Sequence, residues 1–508
     1  MASAFAGNIP ESSAAGALFE LVARGQKDQY FMRDRPDASW PYDARYKSSA
    51  HFLEERQTVV PLNGTAFGAT FECEVQLFAD VLTEANFLID LPSWYPPLPV
   101  ILGGQTYEPR QACLQYDISD ASGITYGYTN YPAFFLFERI QFFQDQFLIA
   151  EWSGDALFTM ATLGKYDPTR NQKFLEMAEA GQAITPQAGY PTALQQRACP
   201  DRLRLRLPIP GCQGLRDSGL PVCAMGNQTF RFRVKLRRLE DLIIDSVGSF
   251  KPQPWNVSSF SYNINDASGN TAGQYTFSPI ELNLIGQPTI LLETTQAYLS
   301  PDVRQAMIEA PKHEIPFRRV FENIFTIGEL DYQAFDRGAP NVVVVRRLDG
   351  RHPTEEFLWF FRSQNSMDRN LLSNFLNEGL AADTAGADGS FYRAIKFVTA
   401  GKDREFFWGS EVWEDVVEAG KHGVDSGLRI GSMNWSLGDV WERAWPYARQ
   451  PEGTINMTTA YRPDLHISIF PTDASSLAGR RMTEMRVFTV GWAAFEIQDR
   501  RGRLMFAN

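Results

Sequence analysis

The residue types able to do chemistry are spaced in ways that suit little chemistry. Five histidines stand at His51, His313, His352, His422 and His466, and none lies within four residues of another. No single element therefore offers two imidazoles to one metal, as a cupin-like metal site would want. Cysteines occur at 73, 113, 199, 212 and 223. An odd count with no CxxC pair reads as free thiols rather than as a disulfide framework or a zinc site. Glu151-Trp152 followed by Asp155 could form half of a carboxylate arrangement acting on a sugar. The same residues suit a strand end and an acidic first helical turn, and 60 acidic residues make chance pairs abundant. The chain has no phosphate-cradling glycine loop, no GxSxG elbow and no dinucleotide fingerprint, and Gly103-Gly104-Gln105 reads as a turn. The expectation is a protein without catalytic residues, cofactor or metal, and not an enzyme. Asn63, Asn227, Asn256, Asn434 and Asn456 each begin an Asn-x-Ser/Thr acceptor pattern. Most are expected to be bare in a cytosol-like compartment.

The overall charge narrows the partners. With 60 Asp plus Glu against 48 Lys plus Arg, the net charge is -12, which argues against direct contact with nucleic acid. The opening Met1–Asn8 lacks the basic and apolar regions of a signal peptide, and no apolar run approaches a bilayer span. A soluble, cytosol-made chain is expected.

The elements that would position any site are mostly strands. Phe71–Leu77, Leu203–Leu207, Phe230–Arg237 and Leu465–Ile469 alternate apolar and polar residues with period two, the pattern of half-buried antiparallel strands. Turn residues punctuate them: Asp145, the segment Asp266–Asn270, and Asp349-Gly350. Helices are few. Ser300-Pro301-Asp302 opens one. Others are expected near 153–180, 368–376 and 411–419. At 508 residues the chain exceeds one core, so two domains are expected. The Gly- and Pro-rich stretch before Phe230 is the linker candidate. The expected division is an arm over 1–15, a first domain over 16–212, a linker over 213–228 and a second domain over 229–508. The 37 Phe and 11 Trp exceed what two cores require and suit a large apolar interface. Trp435, Trp441 and Trp445 either plug a local core or anchor a neighbour.

Five stretches sharpen this. They are Gly16–Phe31, with Leu21, Val22 and Asp28; the strand–turn–strand unit Tyr131–Trp152; His352-Pro353-Thr354-Glu355-Glu356-Phe357-Leu358-Trp359; Gln450-Pro451-Glu452-Gly453-Thr454-Ile455-Asn456; and the tail from Arg486 through Leu504-Met505-Phe506-Ala507-Asn508. In this order the chain resembles the major capsid proteins of nucleocytoplasmic large DNA viruses. It departs from them where Gln144-Asp145-Gln146 replaces the family's Gly-Gly-Gln turn. Phe357 likewise stands for Leu.

The resemblance implies an all-β fold of two tandem eight-stranded jelly rolls with helical and loop insertions. It implies a homotrimeric, pseudo-hexameric capsomer tiling the icosahedral shell of a large double-stranded DNA virus. The partners would be neighbouring capsomers, minor capsid or cement proteins, penton proteins and an underlying viral membrane, with no direct nucleic acid. The place would be the virion, after assembly in the host cytoplasm. A lattice-forming scaffold of viral membrane assembly and a minor capsid protein are the alternatives the same resemblance leaves open.

Overall fold

The structure is a computed structural model. It describes residues 52–96, 118–163, 197–212 except 201, 219–265 except 227, 271–377 except 340, 389–422, 428–436, 453–470 and 481–505. The segments carrying Leu21, Val22, Asp28, Gln450, Pro451, Phe506 and Asn508 lie outside these residues, as do Asn227, Trp441, Trp445 and the arm over 1–15.

Seventeen strands are labelled here. The first eight are β1 (Phe52–Val59), β2 (Thr70–Val75), β3 (Val81–Asp90), β4 (Phe137–Gln144), β5 (Phe147–Trp152), β6 (Leu203–Arg206), β7 (Phe230–Leu236) and β8 (Thr289–Leu299). They form two antiparallel sheets, ordered β1-β8-β3-β6 and β2-β7-β4-β5. The next eight are β9 (Lys312–Ile327), β10 (Val342–Arg347), β11 (Pro353–Ser363), β12 (Tyr392–Thr399), β13 (Lys402–Gly409), β14 (Ile430–Asn434), β15 (Asp464–Ile469) and β16 (Thr483–Gln498). Their sheets run β9-β16-β11-β14 and β10-β15-β12-β13. Counting strands from one within each half, both halves pair as 1-8-3-6 and 2-7-4-5. A last strand, β17 (Arg501–Met505), extends the third sheet beside β16.

Alternation does what the residues dictate. On β7, Phe230, Phe232, Val234 and Leu236 are buried while Arg233 and Lys235 are exposed. On β15, Leu465, Ile467 and Ile469 are buried and His466 and Ser468 are half-buried. In the first half, the Phe87 ring lies 5.5 Å from Phe137 and 5.7 Å from Phe232, joining the facing sheets. In the second, Phe357 meets Phe397 at 5.2 Å and Trp359 meets Tyr392 at 6.4 Å. Each such fully buried aromatic contributes about 2–3 kcal/mol of apolar burial.

β11 breaks the alternation, because Thr354 through Arg362 are all buried. Phe357, Trp359 and Phe361 face the second half's own core. Leu358 and Phe360, with Phe488, Val490 and Phe495 of β16, join the core of the first half. A sheet covered on both faces reads as a continuous apolar run rather than an alternating one.

Several expectations are corrected. The pairing does not change at the expected linker over 213–228: Leu220-Pro221, within it, pairs with Leu82 and Val81 on β3, and β7 and β8, after it, belong to the sheets of β1–β6. Pairing therefore divides between β8 and β9, where helix Pro301–Glu309 lies, and not at the Gly/Pro stretch. Glycine and proline mark turns wherever the chain reverses, whether or not the reversal lies at a domain boundary. At Gly211, with φ 79°, a Cβ would stand 2.7 Å from the Gly219 carbonyl carbon, so these glycines serve close backbone approach within one lobe. The helix expected over 153–180 is described over Gly154–Thr162, and the rest lies outside the described residues. The one expected at 368–376 lies earlier and is shorter, a five-residue α-helix over Gln364–Asp368, after which Asn370 takes φ 59°. The one at 411–419 is wound as π-helical turns, Val412–Val416 and Glu418–His422.

Candidate functional site: the charged junction between the halves

The helix Gly154–Thr162, here α1, follows directly on β5, and every residue in it is buried. Ser153 caps it, its hydroxyl accepting from the Ala156 amide at 3.1 Å. Asp155, in its first turn, is wholly buried. Three guanidiniums converge on its carboxylate. Arg362 Nη2 donates at 2.6 Å, Arg237 Nη2 at 2.8 Å and Arg486 Nη1 at 2.9 Å. Arg237 follows β7 in the first half, whereas Arg362 and Arg486 lie on β11 and β16 of the second. Arg486 also binds Glu322 of β9 at 2.8 Å and Glu484 at 2.5 Å. Arg362 lies 3.5 Å from Glu484, its cross-strand partner, and its guanidinium stacks 5.0 Å over the Phe360 ring. The six groups balance as three acids and three bases.

Burial alone would raise the Asp155 carboxyl, but Arg486, Arg362 and Arg237 outweigh it and hold it well below the usual carboxylate range. Burial presses Arg362 down against the pull of Asp155. It presses Arg486 too, yet Asp155, Glu484 and Glu322 leave that group raised. A carboxylate held by three cations is a clasp and a poor proton carrier, so the Glu151/Asp155 pair has no acid–base geometry. Glu151 is held by Gln141 at 2.7 Å and by Arg139 at 3.4 Å. Burial also pushes the Cys73 and Cys212 thiols up to about 12, away from nucleophilic thiolate.

Polar contacts extend the junction. The Asn370 amide donates to the carbonyls of Glu240 and Ile243, each at 2.7 Å, and its own carbonyl accepts from Thr129 at 2.9 Å. Phe375 stacks on Phe360 at 4.1 Å and meets Phe158 of α1 at 6.2 Å.

Some of the described residues singled out in the sequence stand in adjoining segments. His352, buried with φ 68°, donates its amide to the Thr458 hydroxyl at 2.9 Å, and its carbonyl accepts from Met457 at 3.1 Å. Burial lowers its imidazole, with Arg319 and Arg351 adding to the effect. Pro353 pairs with Asn456 and Thr354 with Ile455, which brings the His-Pro stretch against the segment of Gly453 and Asn456. Trp359 pairs with Val487 in the tail stretch. The hairpin at Asp145, φ 51°, is pinned where the Asp145 carboxylate accepts from the Thr229 amide and hydroxyl, each at 3.0 Å. Next to it, the Gln144 amide donates to the Gly502 carbonyl at 2.9 Å, tying that hairpin to the tail. Glu356 is fully buried, accepts from Asn434 Nδ2 at 3.0 Å and lies 3.3 Å from His422 Nε2. Asn434 is thus engaged in the core, while Asn63, Asn256 and Asn456 are exposed. Trp435 packs into the local core, its ring 4.8 Å from Phe357.

Asp155, Arg237 and Arg362 belong to none of the five stretches, whereas Arg486 opens the fifth. One signal could have flagged Arg362: it ends an unbroken apolar run, Phe357–Phe361, where an arginine needs a buried partner. Among the described residues, no group of three or more His, Cys, Asp or Glu is placed to hold a metal.

By sequence, no family model and no curated protein matches the chain. Solved structures do. The PBCV-1 VP54 protein, as fitted into a reconstruction of the virophage Sputnik, superposes with a TM-score of 0.61 at 14% identity, over 91% of this chain and 98% of that one. The quasi-atomic model of the PBCV-1 virus capsid gives 0.60 at 15%, over 91% and 98%. The Faustovirus major capsid protein gives 0.56 at 12%, over 92% and 94%. The chain has the predominantly β fold of these capsid proteins.

Proposed function

We propose that this chain is a structural, non-enzymatic capsid subunit. In this reading it consists of two eight-stranded jelly rolls, one spanning β1–β8 and the other β9–β16. It assembles as a homotrimer whose six near-equivalent lobes fill hexagonal positions in the icosahedral shell of a large double-stranded DNA virus. The observation that carries the reading is the repeated pairing order, 1-8-3-6 and 2-7-4-5, in both halves of one chain. Two like lobes per chain and a threefold axis together imitate sixfold symmetry, which a lattice of hexagons requires. The likeness to capsid proteins along nearly the whole chain supports it.

The surface fits such packing. The sheet β10-β15-β12-β13 carries apolar side chains along both edges: Val343 and Val345 on β10, and Phe406, Phe407 and Trp408 on β13, with Phe406 71% exposed. Exposed apolar residues on an edge strand invite a partner, and a second copy is the occupant proposed. Neighbouring capsomers, cement and penton proteins and a viral membrane would complete the surroundings, with assembly in the host cytoplasm and residence in the virion. The acidic net charge suits an outer wall that does not coat the genome.

The test is sedimentation of the purified protein together with negative-stain imaging. A stable species of three chain masses with a hexagonal outline is expected. A well-behaved monomer at micromolar concentration would overturn the capsomer.

A further inference from the structure

A cleft of about 910 Å³ opens along the seam beside the Asp155 cluster, sharing Arg237, Glu322 and Arg486 with it. Its walls come from both halves: β4, β5 and the residues after β7 on one side, β9 and the Asp349–Arg351 turn on the other. Most charges in it are already paired, Lys235 with Glu138 at 2.7 Å, Arg139 with Glu151 and Arg486 with Glu322. Three arginines are not. Among the described residues, Arg238, Arg319 and Arg351 have no carboxylate within ion-pair distance, although all three line the cleft. Arg319 is half-buried and rests 5.2 Å over the Phe321 ring. Burial weakens its hold on its proton, Glu151 opposes this, and the like charge of Arg351 adds to it. Two neighbouring guanidiniums without counter-ions, on a chain of net charge -12, form a local reversal of sign. Guanidinium forks match carboxylates in two-point geometry.

We infer that this cleft binds an acidic peptide segment of a partner protein, its carboxylates seated on Arg319 and Arg351 and its apolar side chains on Leu148, Val320 and Phe321. A peptide is favoured over a polyphosphate or nucleic acid because the lining alternates sign and polarity. Glu138, Glu322 and Asp349 would repel a uniformly charged chain, while the apolar floor would leave such a chain uncompensated. The inference goes beyond the shell reading and does not need it, since the site lies within one chain.

The experiment is fluorescence anisotropy with the full-length protein and a labelled dodecapeptide alternating Glu with Leu. Saturable binding that weakens as salt rises is expected, with no binding of the Gln-for-Glu peptide. Arg319→Gln and Arg351→Gln should each weaken binding about tenfold. Arg351 and Arg238 are exposed, so R351Q and R238Q test the cleft without disturbing the core, and unchanged melting confirms that each is folded. Tripolyphosphate and a twelve-base-pair DNA duplex serve as competitors and should displace the peptide only weakly. Absence of peptide binding, binding indifferent to R351Q, or tighter binding of either competitor would overturn the inference.

Discussion

Replacing Asp155 by Asn removes one negative charge from a site where three arginines point at it and leaves the shape almost unchanged. The cluster then holds two acids and three bases. Arg486 keeps Glu322 and Glu484 as partners. Arg237, its side chain 17% exposed, can still reach water. Arg362, 2% exposed, keeps the Leu372 carbonyl at 2.5 Å and Glu484 at 3.5 Å, so it bears most of the loss. Breaking a buried ion pair costs about 3–5 kcal/mol, and the partial rescue of the other two arginines argues for the middle of that range. Unfolding entropy of about 2.1 cal/mol/K per residue gives about 0.5 kcal/mol/K for a lobe of about 250 residues, so D155N should lower its melting temperature by about 8 °C. A double-mutant cycle with Arg362→Met isolates the pair, and a coupling of about 2–3 kcal/mol is expected. The pH dependence follows from sign. The folded-state affinity of Asp155 for protons is depressed, so its contribution is whole above the ordinary aspartate value near 4 and fades only as pH falls below it. The wild-type advantage over D155N should therefore be flat from pH 7 to about 5. A melting shift under 2 °C, or single substitutions that simply add, would refute the clasp.

Burial raises Glu414 to about 7, so the stability it lends is whole below about 4.5 and lost as pH rises through about 7; Glu414→Gln should leave stability unchanged at pH 4 and raise it by about 2–3 kcal/mol at pH 8 in urea titrations. A Cβ at Gly431 would stand 2.3 Å from the Trp359 ring, so Gly431→Ala should destabilise the second half by about 1–3 kcal/mol in the same assay. Asn370→Ala strips the donor from two carbonyls and places alanine at φ 59°, and a loss of about 2–3 kcal/mol is expected by thermal melting. Phe406→Ser with Trp408→Ser should lower the sedimenting mass toward the monomer without lowering the melting temperature, because both side chains are already exposed.

Strands that see water on one face announced themselves. β2, β7 and β15 alternate because one side is wet, and period two recovers them from Phe71, Phe232 and Ile467 outward. β11 and β16 do not alternate along much of their length, since the seam dries their second face. From sequence, such runs show that burial occurs, not against what. That β7 and β8 pair with the early strands was not legible for a related reason, because pairing with strands some 150–200 residues earlier leaves no local trace. His352, Pro353, Trp359 and Asn456 were visible as a pattern, and the structure joins them in adjoining strands. The ionic cluster was not visible. Asp155 looks like any acid in a first helical turn, and Arg237 and Arg486 look like any outward residues of an alternating strand.

The place of β8 bears on how the chain is made. It runs between β1 and β3, in the middle of the first sheet, and it is the last of the first eight strands to be synthesised. A ribosome working at 5–20 residues per second needs roughly 10–40 s to go from the end of β3 to the end of β8. Throughout that time the nascent chain carries β1 and β3 with the gap between them unfilled, each offering unpaired backbone to any passing strand. Until β8 fills it, that vacancy is an aggregation hazard that the finished fold no longer carries.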